Sequence, residues 1–193
     1  VMMIREPIQC CESWIREAFK ANNYNKVCRG ITQMLFAADQ VIFRKHISVG
    51  IRLEDLKTNP KASLRSLCLW LGIEETPSLY QMTAQGKKWW GDPTSPDYDA
   101  TNGVSPFDKT SIRRPIGTIF SKKDQFILRT LFYPLSVRFG YQSADPAQFD
   151  KDLKEIKPMC TDILDCEKLM LERGGIDPIE FKNSQAYLLL RAS

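Results

Sequence analysis

The 193-residue chain holds one histidine, His46, and none of its six cysteines falls in a Cys-x-x-Cys pair. That scarcity argues against a zinc site. No run approaches the roughly 18 apolar residues of a membrane-spanning helix, and no secretory signal pattern is visible. Internal repeats and low-complexity tracts are absent. The cationic excess is small, with a net charge of +4. It is compatible with an anionic ligand but far from the strong basic bias of nucleic-acid binders. No Gly-x-x-x-x-Gly-Lys-Ser/Thr phosphate loop occurs in the chain.

What remains is ordinary for a globular protein: 43% apolar and 26% charged residues, in a chain long enough for a sizeable core. The cysteines stand at positions 10, 11, 28, 68, 160 and 166. Most lie in helix-like apolar surroundings and read as buried free thiols of a reducing compartment. The expectation is a cytoplasmic protein. A Cys160–Cys166 disulfide is the less favoured alternative.

The first fifteen residues organise the rest. Val1 to Ile4 is a short apolar run. Arg5-Glu6-Pro7 then turns the chain, and Pro7 suits the first position of a helix. Ile8, Cys11 and Ile15 recur at helical spacing, giving that helix one apolar face. The pattern predicts strand, tight turn and helix, with Arg5 at the strand's carboxyl end, where open parallel sheets hold ligands. Ser13 follows eight residues after Arg5. A guanidinium fork and a hydroxyl so placed can grip a phosphate. The plainer alternative is a surface Arg and a solvated Ser.

Arg5-Glu6-Pro7 with Ser13 resembles the 3′-phosphate segment of sulfotransferases that use 3′-phosphoadenosine-5′-phosphosulfate (PAPS). Three further segments match in the family's order. Glu54-Asp55-Leu56, with Asn59-Pro60 after it, looks like a strand end and turn of that family. Trp70-Leu71-Gly72-Ile73 looks like one of its helix ends. Ile112-Arg113-Arg114-Pro115-Ile116-Gly117, with Ser121 and later Phe139-Gly140-Tyr141, resembles its basic loop, helix and closing motif. The resemblance covers residues 1–141. It departs at Glu6, where Asp is commoner, and at Leu53, where a Tyr often packs near the adenine.

The resemblance implies transfer of a sulfuryl group from PAPS to a hydroxyl or amine, leaving 3′,5′-ADP. It assigns cofactor binding to Arg5, Ser13, Arg113, Arg114 and Gly117. The catalytic base and the phosphosulfate-loop Lys are unassigned and expected upstream of residue 1, with this chain as the carboxyl-side portion and no turnover of its own. The implied fold is α/β: a P-loop-type parallel sheet flanked by helices, lacking its first strand and loop, with a helical carboxyl-terminal extension. A catalytically incomplete nucleotide-binding or interaction module is the alternative, as is another P-loop transferase such as a small-molecule kinase.

Along the chain, residues 26–46 predict a long helix with Val27, Ile31, Met34, Leu35, Ala38, Ile42 and Lys45 on one stripe. His46 at its basic end reads as a solvated helix-end residue. Residues 47–53 predict a strand, delivering Glu54 and Asp55 to the edge that carries Arg5. A helix from Asn59-Pro60 to Trp70 should bury Leu64, Leu67, Cys68 and Leu71 and stop at Gly72. Residues 74–110, rich in Pro and Gly, read as a long loop. There Lys87, Trp89 and Trp90 are candidates for an acidic, aromatic or glycan acceptor, or one Trp simply anchors the loop. Ser121 and Asp124 form a capping-box pattern for a helix running past Pro134 to Phe139. Residues 142–193 lie outside the resemblance and read as a helical appendage, for which an oligomer contact is one use. The expected domains are 1–141 and 142–193. The expected partners are a small-molecule or glycan acceptor, with no nucleic acid.

Overall fold

Met2–Ile4 forms the first strand, β1, and leads to helices α1 (Pro7–Lys20) and α2 (Tyr24–Ala38). Strand β2 (Gly50–Arg52) runs into α3 (Leu53–Thr58) and α4 (Pro60–Leu71). A 3₁₀ turn (Pro77–Tyr80), two short strands, β3 (Thr83–Ala84) and β4 (Lys87–Lys88), and a second 3₁₀ turn (Ser111–Arg113) follow. Then come α5 (Lys122–Leu131), α6 (Tyr133–Arg138), α7 (Pro146–Met159), α8 (Asp165–Arg173) and α9 (Pro178–Ser184). This computed structural model describes residues 1–38, 48–81, 83–84, 87–88 and 106–184. The chain is mostly helical with a small two-stranded parallel sheet, which fits α/β only loosely. His46, Trp89 and Trp90 lie outside the described residues.

The elements group into two units: Val1–Ile4 with Val49–Arg114, and Arg5–Ser48 with Pro115–Ser193. In the first unit β1 and β2 pair in parallel, Met3 opposite Ile51 and Ile4 opposite Arg52. The strand predicted over 47–53 is shorter than expected, because Leu53 already opens α3. The cause is local. The Arg52 guanidinium forks onto Asp55, Nε to Oδ2 at 2.8 Å and Nη2 to Oδ1 at 2.7 Å. Glu54 and Asp55 also place negative charge in the first helical turn, where the helix dipole favours it. The expected Glu54-Asp55-Leu56 turn is therefore helix. Pro60 starts α4, which buries Leu64 and Cys68. Of the others expected beside them, Leu67 is only half-buried and Leu71 is exposed. Gly72 ends α4 at φ +67°, a left-handed cap. Residues 83–84 and 87–88 pair as an antiparallel hairpin inside the expected loop.

The second unit holds the larger core. Ile8, Cys11 and Ile15 of α1 are fully buried beside Val27 and Ile31 of α2. Phe120, Ile127, Leu128 and Phe132 join them, as do Ile156, Cys160, Leu164, Cys166 and Met170. Each large side chain so buried contributes roughly 1.5–3 kcal/mol. The helices after residue 145 thus have a structural account: α7 and α8 fill the same core as α1, and Phe181 of α9 packs against Ile163 and Leu171. The helix expected across 121–139 divides at Phe132 into α5 and α6. Pro134 has no N–H for the Thr130 carbonyl, and its ring crowds that position. All six cysteines are free thiols, so Cys160 and Cys166 form no disulfide.

Three buried carboxylates tie this core together by accepting backbone N–H groups. Asp124 occupies the capping box of α5 opposite Ser121. The same carboxylate accepts the N–H groups of Asp165 (2.8 Å) and Cys166 (3.0 Å) at the start of α8, so one side chain caps two helices. Glu167 accepts the Leu164 N–H at 2.6 Å and the Tyr24 hydroxyl at 3.2 Å. Glu12, 1% exposed, is the third. Among the described residues no helix is long and apolar enough to cross a membrane.

Candidate anion-binding site

Arg5 follows β1 in the chain, precedes α1, and is half-buried. Glu6 is the N-cap of α1, and its carboxylate accepts the Gln9 N–H at 2.6 Å. Pro7 then fills the first helical turn, where no N–H is needed. Arg5 turns its Nε onto Gln9 Oε1 at 2.9 Å, which holds its guanidinium against the first turn of the helix. Arg5-Glu6-Pro7 therefore has a complete structural role as a helix start. Ser13 stands two turns along α1, half-buried.

The segment after Pro115 is built around Glu12. Its Oε1 accepts the N–H groups of Gly117 (3.0 Å), Ile119 (3.1 Å) and Phe120 (3.1 Å). Its Oε2 accepts the Thr118 hydroxyl at 3.0 Å. A loop whose successive N–H groups converge on one point is an anion cradle, and here the protein's own carboxylate fills it. Gly117 sits at φ +90°, and a Cβ there would lie 2.9 Å from Gln125 Nε2. Its glycine is needed for the turn itself, and its N–H is committed to Glu12.

The predicted cofactor residues divide between the units. Arg5, Ser13 and Gly117 belong to the second unit, and Arg113 and Arg114 to the first. Arg113 closes a 3₁₀ turn and is exposed, while Arg114 is half-buried in extended backbone. The basic turn is braced by Asp108, which accepts the backbone N–H of Thr110 at 2.7 Å as well as its hydroxyl. The Thr110 hydroxyl holds the Asp108 carboxyl below its usual range, with smaller help from Lys57 and Arg113. Lys87 is placed in β4. Among the described residues no group of three or more His, Cys, Asp or Glu stands close enough to hold a metal ion.

Sequence reasoning passed over a second location. An open cleft of about 470 Å³ lies between α1 and α2, walled by Trp14 and floored by Gly30. Its signal was available: a lone glycine inside a helical pattern marks a close approach.

No family model, curated protein or solved structure matches this chain.

Proposed function

We propose that the chain belongs with the PAPS-dependent sulfotransferases and that Arg5 and Ser13 grip the 3′-phosphate of the nucleotide. The observation that carries this reading is the path of the first fifteen residues. A strand with a parallel neighbour ends at Ile4, Arg5 follows directly, and a helix bearing Ser13 begins two residues later. That is the topology in which a guanidinium at a strand's carboxyl end meets an anionic ligand. Sulfuryl transfer needs charge stabilisation at the transferring group and a base for the acceptor hydroxyl or amine. Arg5 and Ser13 contribute to the first part only, by fixing the nucleotide. A P-loop-type sheet and a cytoplasmic setting are part of the same proposal.

A second reading, a nucleotide-binding or interaction module without catalysis, is favoured by Glu12. Its carboxylate occupies the N–H groups of residues 117–120 and removes that loop from the possible phosphate donors.

Calorimetric titration with 3′,5′-ADP, beside ADP and an Arg5→Ala variant, tests the nucleotide grip. Binding that requires both the 3′-phosphate and Arg5 is expected. Equal binding of ADP, or binding unaltered in Arg5→Ala, overturns the assignment. If the grip holds, sulfuryl transfer from PAPS to a panel of hydroxyl and amine acceptors separates the enzyme from the module.

A further inference from the structure

The cleft between α1 and α2 combines features that the core does not require. Trp14 is 65% exposed although it neighbours the fully buried Ile15. Its indole is nevertheless positioned. A Cβ built on Gly30 would meet Trp14 Cδ1 at 3.0 Å and Ile15 Cγ2 at 2.9 Å, so the pyrrole edge rests on the α2 backbone where a side chain is missing. Lys26 and Arg29 rise from α2 on the same cleft, with Asn25 and Gln33 along it. Among the described residues the Lys26 and Arg29 side chains make no ion pair or hydrogen bond, whereas Lys20 nearby pairs with Glu17 at 2.9 Å.

We propose that this cleft binds an acidic sugar, a saccharide carrying sulfate, phosphate or carboxylate. The ring lies on the exposed indole, where the partial positive charge of pyranose C–H groups meets the negative aromatic face. The anion sits on Arg29, whose planar fork matches an oxyanion, and on Lys26 as a point charge. Asn25 and Gln33 offer both donors and acceptors to ring hydroxyls. Among the described residues no second aromatic ring lines the cleft to sandwich a nucleobase, which favours a sugar over a nucleotide. The volume is in the range of small-ligand sites. This inference rests on the cleft alone and stands or falls separately from the nucleotide reading at Arg5.

The test follows the indole N–H resonance of Trp14 in the full chain, assigned by its loss in Trp14→Phe. The probes are a sulfated disaccharide, its desulfated form, sodium sulfate and AMP. The sulfated disaccharide is expected to shift the resonance saturably. Desulfation, or the double substitution Lys26→Gln with Arg29→Gln, is expected to weaken binding on the order of tenfold, and added salt to weaken it further. Trp14→Ala, at an exposed position, is expected to stay folded and lose binding to a similar degree. A folded spectrum with no shift overturns the proposal. So does sulfate alone binding as tightly as the disaccharide, or AMP doing so.

Discussion

Glu12 accepts a 3.0 Å hydrogen bond from the backbone N–H of Gly117, across more than half of the chain. With the N–H groups of Ile119 and Phe120 on the same oxygen, the contact fixes how the loop after Pro115 lies on α1. Glu12→Ala leaves these donors without their acceptor, and Phe120 is too buried for water to replace it. Loss of about 2–4 kcal/mol is expected in urea unfolding, with Glu12→Gln, which keeps one acceptor oxygen, losing less. Equal stability of Glu12→Ala and the parent would remove Glu12 from this role.

Gly117→Ala forces a Cβ into the left-handed region and against Gln125. Moving Gln125 also breaks its 3.0 Å bond to the Phe120 carbonyl. The expected cost is about 1–3 kcal/mol by thermal or urea unfolding. Gly72→Ala, with a similar φ but open space around it, is expected to cost less, and the reverse order would contradict the account of Gln125.

Asp124 links stability to pH. Burial raises its carboxyl above the ordinary 3.8, only partly countered by the N–H groups of Asp165 and Cys166. The folded state therefore holds this proton more tightly than the unfolded chain. The contribution is fully present below about pH 3.8 and is lost as pH rises through the raised native value. Asp162 works in the opposite direction. Desolvation alone would raise it, but Lys168 and the Ile163 N–H together hold it low. The parent must be compared with Asp124→Asn to isolate the first group. Relative to that variant, the parent is expected to lose stability between pH 4 and neutrality; a flat difference would refute the linkage.

Cys11 is fully buried, and burial pushes its thiol far up, with neighbouring Cys10, Glu6 and Glu12 adding to the effect. Nucleophilic chemistry requires the thiolate. Native protein is expected to leave Cys11 unmodified by a disulfide-exchange reagent while half-buried Cys10 reacts. Peptide mapping of the labelled chain decides it, and early labelling of Cys11 would show that the core opens readily.

Short-range rules made several elements legible. The apolar spacing of Ile8, Cys11 and Ile15 located α1, Ser121 with Asp124 located the start of α5, and Gly72 the end of α4. The error at Glu54-Asp55-Leu56 was also local, since the Arg52–Asp55 pair at three-residue spacing is itself a helix signal. The Glu12 cradle was not readable. Nothing in the local sequence separates a buried Glu on the edge of an apolar stripe from a solvated one, and its partners lie more than a hundred residues away. The tail was opaque for the same reason. Phe149, Leu153 and Ile156 announce a helix but not the surface that it meets. Of the cofactor candidates, the strand-to-helix setting of Arg5 was read correctly, whereas the cap made by Glu6 and the N–H commitment of Gly117 emerged only from geometry.

Because α1 and α2 find the rest of their core partners only beyond Pro115, the order of synthesis matters. The ribosome releases the apolar stripe of α1 first, then α2, and then the whole segment that makes up most of the other unit. Phe120, Leu128 and Met170 follow much later. Domains usually fold as units during synthesis, but the larger one here waits until nearly its last core residue has emerged. A nascent chain stalled before Phe120 carries an unfilled α1–α2 hairpin, the kind of apolar surface that holding chaperones recognise.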